Sequence, residues 1–446
     1  METAEEKLAF FGNARASAMA FDAVRPDEKG NWLNVMSNDF EDQLPLIDKE
    51  AKASTKPSGE KAIFKLYSNG INTARDDWVT DLDADLLRDK VQFFLREYAR
   101  HGATSKELGG TIKWSRNLKT KLSRGTSEVF DSTRLRRYAY RPFLPQFGYL
   151  SKLVIDELGQ WPSFDGTGNR TINFPAAKEF FVLASDLPTD FHFTGDTKVA
   201  ALYRFDATGN RIDNVTDWAL KEFRKHYQSG RKSSSEAAPS PQPSPRGRGG
   251  KGKGDTRGPL SKEAIFHFVY AVLHDPVYRE KYTINLKREF PRIPMYGGGK
   301  AGDAAFWQWA DWGAALMDLH LNYETVAPLA LARIDTPDAK ARAAGVNSKV
   351  VLKSDPEGGR IVVDSEPVLA DIPRSAWDYR LGNRSALDWV LDQHKEKKPK
   401  DPTIRAKFDT YRFADNKEKV IDLLMRVARV SVETVAIVEA MKRGVR

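Results

Sequence analysis

The chain has 446 residues, 41% of them hydrophobic, with 10 Trp, 14 Tyr and 24 Phe, enough apolar mass for two or three domains with cores and too much for a disordered chain. No apolar run approaches the roughly 18 residues of a membrane span, the N-terminal "METAEEKLAFF" lacks a basic-then-apolar leader, and the absence of cysteine excludes disulfides and thiolate metal sites. The net charge of +9 is unevenly placed: Arg231, Lys232, Arg246, Arg248, Lys251, Lys253 and Arg257 against Glu236 and Asp255 put +5 in residues 229–258 and leave +4 elsewhere, so charge alone does not decide for a nucleic-acid partner.

In chain order, the first clear element is an amphipathic helix on which Leu87, Val91, Phe94, Leu95 and Tyr98 share a face, preceded by the loop "SNGINTARDDW" at 68–78. Residues 134–142, "RLRRYAYRP", alternate basic and aromatic side chains on a strand or loop. Strand signals follow at 178–187 and 198–205. Thr216 then caps a helix with Leu220, Phe223 and Tyr227 on one side. The Pro, Ser and Gly tract at 229–258 cannot bury enough apolar area to offset chain entropy and reads as a disordered insert in a loop between two helices of one domain. Ser261 caps the next helix, with Ile265, Phe268, Val269 and Val272 inward, and Trp309, Trp312, Leu316 and Leu319 form a further stripe. "KVVLKSDPEGGRIVVD" at 349–364 is a hairpin around a Pro and Gly turn, and Val420, Leu424 and Val427 begin a long C-terminal helix. The fold class expected is α+β, a mixed sheet with substantial helical parts.

Several strings resemble one family. "LYRFDATGNRIDNVTDWALKEFRKHY" at 202–227, "KEAIFHFVYAVLHDPVYREKYTINLKREFPRIP" at 262–294 and "AFWQWADWGAALMDLHLNYE" at 305–324 read as one block cut by the tract. That block resembles the C-terminal specificity region of type ISP restriction-modification enzymes, polypeptides that combine nuclease, helicase, adenine methyltransferase and target recognition. "YRPFLPQFGYL" at 140–150 is similar to the opening of that region, and residues 376–424 match the family pattern almost throughout. "GNWLN" at 30–34 and "FKLYSNGINTARDDWV" at 64–79 look like the end of its methyltransferase module. The resemblance implies a methyltransferase-module remnant at 1–130, a target-recognition domain at 131–446 and duplex DNA as partner, while the lack of a leader pattern and of an apolar span makes a soluble cytoplasmic protein the expectation. It also implies a chain that begins after the chemistry, as a detached specificity piece, as a subunit whose catalytic methyltransferase half is a separate chain, or as a gene remnant.

The catalytic motifs of such enzymes do not occur in this sequence. There is no Asn/Asp-Pro-Pro-Tyr/Phe loop to hold a flipped adenine and no Gly-x-x-x-x-Gly-Lys-Ser/Thr loop for nucleotide phosphates. "FDGTG" at 164–168 imitates a cofactor turn but follows "GQWPS" instead of a buried strand. No catalytic, cofactor-binding or metal residue is therefore assigned, and S-adenosylmethionine, ATP and magnesium are implied only for full-length family members.

Sequence-specific recognition needs groups that reach base edges, backed by phosphate contacts that set register. Asn69, Asn72 and Arg75 lie around a Gly70 turn, although Arg75 could equally pair with Asp76. Arg134, Arg136, Arg137, Tyr140 and Arg141 form a second cluster, with a strand of buried tyrosines and solvated arginines as the competing reading. Lys281, Lys287, Arg288 and Arg292, near Tyr282 and Asn285, form a third, and the basic run "HKEKKPKDPTIRAK" at 394–407 a fourth.

Overall fold

The computed structural model describes residues 3–13, 15, 25–26, 30, 32, 38–103, 105, 107–176, 179–227, 259–297, 302–408 and 411–446. They fall into two units, Met1–Glu41 and Asp42–Arg446. In the first, the helix Ala4–Asn13 is capped by Thr3, whose Oγ1 accepts from the Glu6 backbone N–H at 3.1 Å. The tract at 229–258 lies outside the described residues.

The second unit has the expected α+β class, built on small antiparallel sheets. In one, Thr171–Pro175 runs between Thr197–Ala201 and Leu183–Ser185, and Ser68–Asn69 adds an edge strand. In another, Leu144–Tyr149 runs between Leu135–Arg141 and the two-residue strand Thr80–Asp81. Both sheets thus recruit short strands from the N-terminal side of residue 131, so Asp42–Arg446 is compact across that position. The helix Ala84–Ala99, capped by Asp83, turns Leu87, Val91, Phe94, Leu95 and Tyr98 into the core with Trp78, Tyr138 and Tyr149.

The helices flanking the tract pack together. Phe223 on Asp217–Tyr227 meets Phe268 on Lys262–Val272 edge to face at 5.5 Å, and Phe306 of the helix Gly302–Leu321 stacks on Phe268 at 5.2 Å. Gly313 makes that approach possible, because a Cβ there would lie 1.8 Å from the His267 carbonyl oxygen. Ser261 caps Lys262–Val272 by accepting from the Ala264 N–H at 3.1 Å.

The hairpin Val350–Asp355 and Arg360–Asp364 forms half of a four-stranded sheet completed by Pro367–Ala370 and Ala332–Asp335. Its Ile361, Val363 and Leu369 share one core with Leu424 and Val427 of the long helix Phe413–Met441. The strand expected across 178–187 is only Leu183–Ser185, and the one expected across 198–205 breaks at Leu202, whose backbone bonds Arg170 and Asn214 instead.

Candidate nucleic-acid interface

Segments far apart in sequence meet in a cleft of about 710 Å3 lined by residues 71–78, Lys113, Tyr140, 190–192 and 397–401. Its floor is the 71–78 segment, held by backbone on both sides. Ile71 N–H donates to Thr189 at 2.8 Å and Phe191 N–H returns a bond to Ile71 at 2.9 Å, while Asn72 exchanges two bonds with Glu157 at 2.9 and 3.0 Å. Gly70 permits this, since a Cβ there would lie 2.5 Å from the Asp190 carbonyl oxygen. The turn that follows is closed by its own side chains: Asn72 Oδ1 accepts from Ala74 N–H at 3.2 Å, and Thr73 Oγ1 from Arg75 N–H at 3.2 Å.

The opposite wall carries the basic run. Asp401 accepts from Trp78 Nε1 at 2.8 Å and caps the helix Pro402–Lys407 through Thr403 and Ile404 N–H, which places exposed Lys397, Lys398 and Lys400 on the rim. Three of the four lining carboxylates are engaged. Asp190 accepts from Arg141 at 2.6 Å and Tyr138 at 2.8 Å, Asp76 accepts from Thr73 and from Tyr140 at 3.0 Å, and Asp401 is the cap just described. Partial burial raises the Asp77 carboxyl above the usual carboxylate range, with Asp76 and Asp401 adding to the effect and Lys90 and Lys113 opposing it. Burial pushes the Tyr140 hydroxyl well above its ordinary range, so it stays a neutral donor. The cleft thus combines ammonium groups suited to phosphate with an amide, a carboxylate and an aromatic ring suited to base edges.

The sequence candidates distribute unequally over this geometry. Asn72 and Tyr140 line the cleft, and Arg141 lies behind it, 3.9 Å over the Tyr140 ring and bonded to Asp190. Arg75 borders the cleft but is 1% exposed, with its guanidinium committed to Asp156 at 2.8 Å, Ser115 Oγ at 2.5 Å and the Val154 carbonyl, and its ion pair is with Asp156 and not Asp76. Asn69 is exposed and accepts from Lys198 at 2.5 Å in a separate cleft.

On the strand Leu135–Arg141 Tyr138 is fully buried, while Arg136 and Arg137 are exposed. Arg134 pairs with Glu128 at 2.7 Å, Arg136 with Asp165, and Arg137 with Glu324 at 2.6 Å. The pairs of Arg136 and Arg137 are exposed and of a kind that contributes about 0–1 kcal/mol, whereas Glu128 beside Arg134 is largely buried. Lys281, Lys287 and Arg288 are exposed on or beside the helices Pro276–Lys281 and Thr283–Leu286, and Arg292 is half-buried, donating to the Gln43 carbonyl at 3.2 Å. None of these four lines the cleft at 71–78.

Asp77, Lys113 and His192 were not anticipated, because a lone Asp, Lys or His in a loop carries no periodic signal. Lys397, Lys398 and Lys400 were visible only as a basic run whose position depended on Asp401.

An α+β unit with a wide cleft, lysines on its rim and polar groups on its floor has the character of a nucleic-acid-reading module. The family model for the type ISP C-terminal specificity domain matches residues 62–423, and the chain belongs to this family. The structure is similar to a chain in a cryo-EM structure of a DrdV–DNA complex, with TM-score 0.83 and 40% identity over 98% of this chain and 42% of that one. It also shares its fold with a nuclease-deletion mutant of the type ISP restriction-modification enzyme LlaGI in complex with a DNA substrate mimic, with TM-score 0.69 and 23% identity over 95% of this chain and 30% of that one. The ATP-dependent type ISP restriction-modification enzyme LlaBIII bound to DNA gives TM-score 0.72 and 20% identity over 94% of this chain and 25% of that one. Comparison with curated proteins gives no match. The chain therefore spans less than half the length of these relatives.

Proposed function

We propose that this chain is the DNA target-recognition module of a type ISP restriction-modification system, binding duplex DNA and selecting a sequence. The match of the specificity-domain model across residues 62–423 carries this reading. Support comes from the cleft at 71–78, whose lysine rim suits phosphates and whose Asn72 and Asp77 are of the types that address base edges. Both the 71–78 segment and the 397–401 run that line the cleft fall within the matched residues 62–423.

Catalysis is assigned outside these 446 residues, which contain neither the Pro-Pro loop of an adenine methyltransferase nor a nucleotide-phosphate loop. S-adenosylmethionine, ATP and magnesium would be held by a catalytic portion, either joined to this chain or supplied as a separate methyltransferase subunit. Photo-cross-linking of duplex DNA to the protein, with mapping of the adducted peptides, tests the interface. Adducts in 71–78 and 397–401 are expected, and adducts confined to other segments would contradict it.

A further inference from the structure

A second cleft, of about 510 Å3, is lined by Lys49, Lys52, Tyr67, Ser68, Asn69, Gly159, Gln160, Ala176, Lys198 and Phe290. Among the described residues three lysines line it and no Asp or Glu does. Two come from the short helix Lys49–Ala53, where a spacing of three puts Lys49 and Lys52 on one face and Asp48 holds the first turn through the Ala51 N–H at 2.8 Å. The third, Lys198, stands on the strand Thr197–Ala201 directly opposite Asn69 of the edge strand.

Two of the ammonium groups meet neutral oxygens. Lys52 Nζ donates to the Tyr67 carbonyl at 3.0 Å and lies 4.5 Å from the Tyr67 ring centre, and Lys198 Nζ donates to Asn69 Oδ1 at 2.5 Å. Burial, with repulsion between lysines, holds the pKa of both below the usual lysine value: Lys198 acts on Lys52, and Lys49 on Lys198, with Asp196 opposing the shift on Lys198. Like charges gathered without a lining carboxylate raise the energy of the empty protein, and an anion relieves it.

The floor is preformed. Gly159 sits at φ +60°, where a Cβ would come 2.4 Å from Ser68 Oγ, and Ser68 Oγ accepts from the Gln160 N–H at 2.8 Å. Tyr67 and Phe290 meet edge to face at 5.6 Å, and Phe290 is two residues from both Arg288 and Arg292.

We propose that this lysine cleft binds backbone phosphates of the same duplex that the 71–78 cleft reads, which rests on the duplex-binding reading above. A duplex suits it better than a small phosphate: the anchors are three side-chain ammoniums around an open cleft, not a ring of backbone N–H groups. The two clefts also share one segment, since Asn69 and Asn72 are three residues apart, a reach of at most about 11 Å.

The test uses the full chain with Lys49→Gln, Lys52→Gln and Lys198→Gln combined, and a Lys49→Gln/Lys198→Gln variant that leaves the Lys52 bond to Tyr67 intact. Folding is verified by thermal melting. Affinity is then measured against salt for one defined duplex and for a mixed-sequence pool. The magnitude of the slope of log affinity against log salt should fall by about 0.9 per lysine removed, with affinity reduced by the same factor, about tenfold or more, on both DNAs. A folded double variant with an unchanged salt slope overturns the phosphate cleft while leaving the duplex-binding reading intact. Failure of the unmodified chain to bind any duplex overturns both.

Discussion

Arg141 donates to Asp190 at 2.6 Å, and the other oxygen of that buried carboxylate accepts from Tyr138 at 2.8 Å. Two residues of one strand are thereby clamped to the 189–193 turn, which in turn holds Ile71 through backbone bonds. The cleft floor is positioned by this linkage.

Replacing Asp190 with Ala should accordingly cost about 3–5 kcal/mol, because Arg141 would lose its nearest carboxylate and keep only the Tyr140 carbonyl and Asp76 at 3.5 Å, while Tyr138 would keep only the Ile71 carbonyl at 3.3 Å. Urea denaturation measures it. A loss below about 1 kcal/mol would show that the clamp is dispensable.

Substituting Lys397, Lys398 and Lys400 together with Gln should weaken duplex binding without changing which sequence is preferred. The rim lysines are exposed, so stability should move by less than about 0.5 kcal/mol. Competition between defined duplexes reads the preference, and a changed preference would mean that the rim contacts bases.

Asn72→Ala should act the other way. Its Oδ1 bond to Ala74 contributes about 1 kcal/mol to the turn, while loss of an amide at the cleft floor should relax discrimination at one base position by about 1–3 kcal/mol with the salt slope unchanged. Binding to a panel of single-position variants of the preferred site provides the measurement.

Stability should fall on mild acidification. Burial, aided by Arg170 and opposed by Glu263, lowers the His267 pKa to about 4, and burial with a contribution from Arg279 lowers that of His320 to about 3, from an ordinary value of 6.5. The unfolded chain therefore takes up protons that the folded protein refuses. The stabilising effect of neutrality is fully present above pH 6.5 and is lost as pH falls from there toward 4 and 3. Each group contributes about 1.4 kcal/mol per pH unit in that window. His320 also bonds Tyr270 and Thr434, so His320→Gln should lower stability at neutral pH yet flatten its decline between pH 6.5 and 4. An unchanged pH slope in that variant would remove His320 from the account.

Elements fixed by local chemistry were legible in the sequence. The 350–364 hairpin, the Ser261 cap and the inward face of Ala84–Ala99 each follow from turn residues, a hydroxyl before an apolar run, or a helical spacing. Two-residue strands such as Ser68–Asn69 and Thr80–Asp81 were not, because pairing with distant partners alone makes them strands. The burial of Arg75 was equally hidden, since Asp156 and Ser115 lie 81 and 40 residues away. Asn72 and Tyr140 were found as polar and aromatic residues in basic surroundings, but their convergence with Asp77, Lys113 and Lys397 depends on the Trp78 bond to Asp401.

Sequence-selective duplex recognition is tested most directly by selection and sequencing of the fraction bound from a pool of random duplexes, repeated across salt concentrations. Enrichment of one asymmetric site that persists at higher salt is the predicted result. Binding without preference that disappears steeply as salt rises would contradict it, leaving phosphate attraction alone.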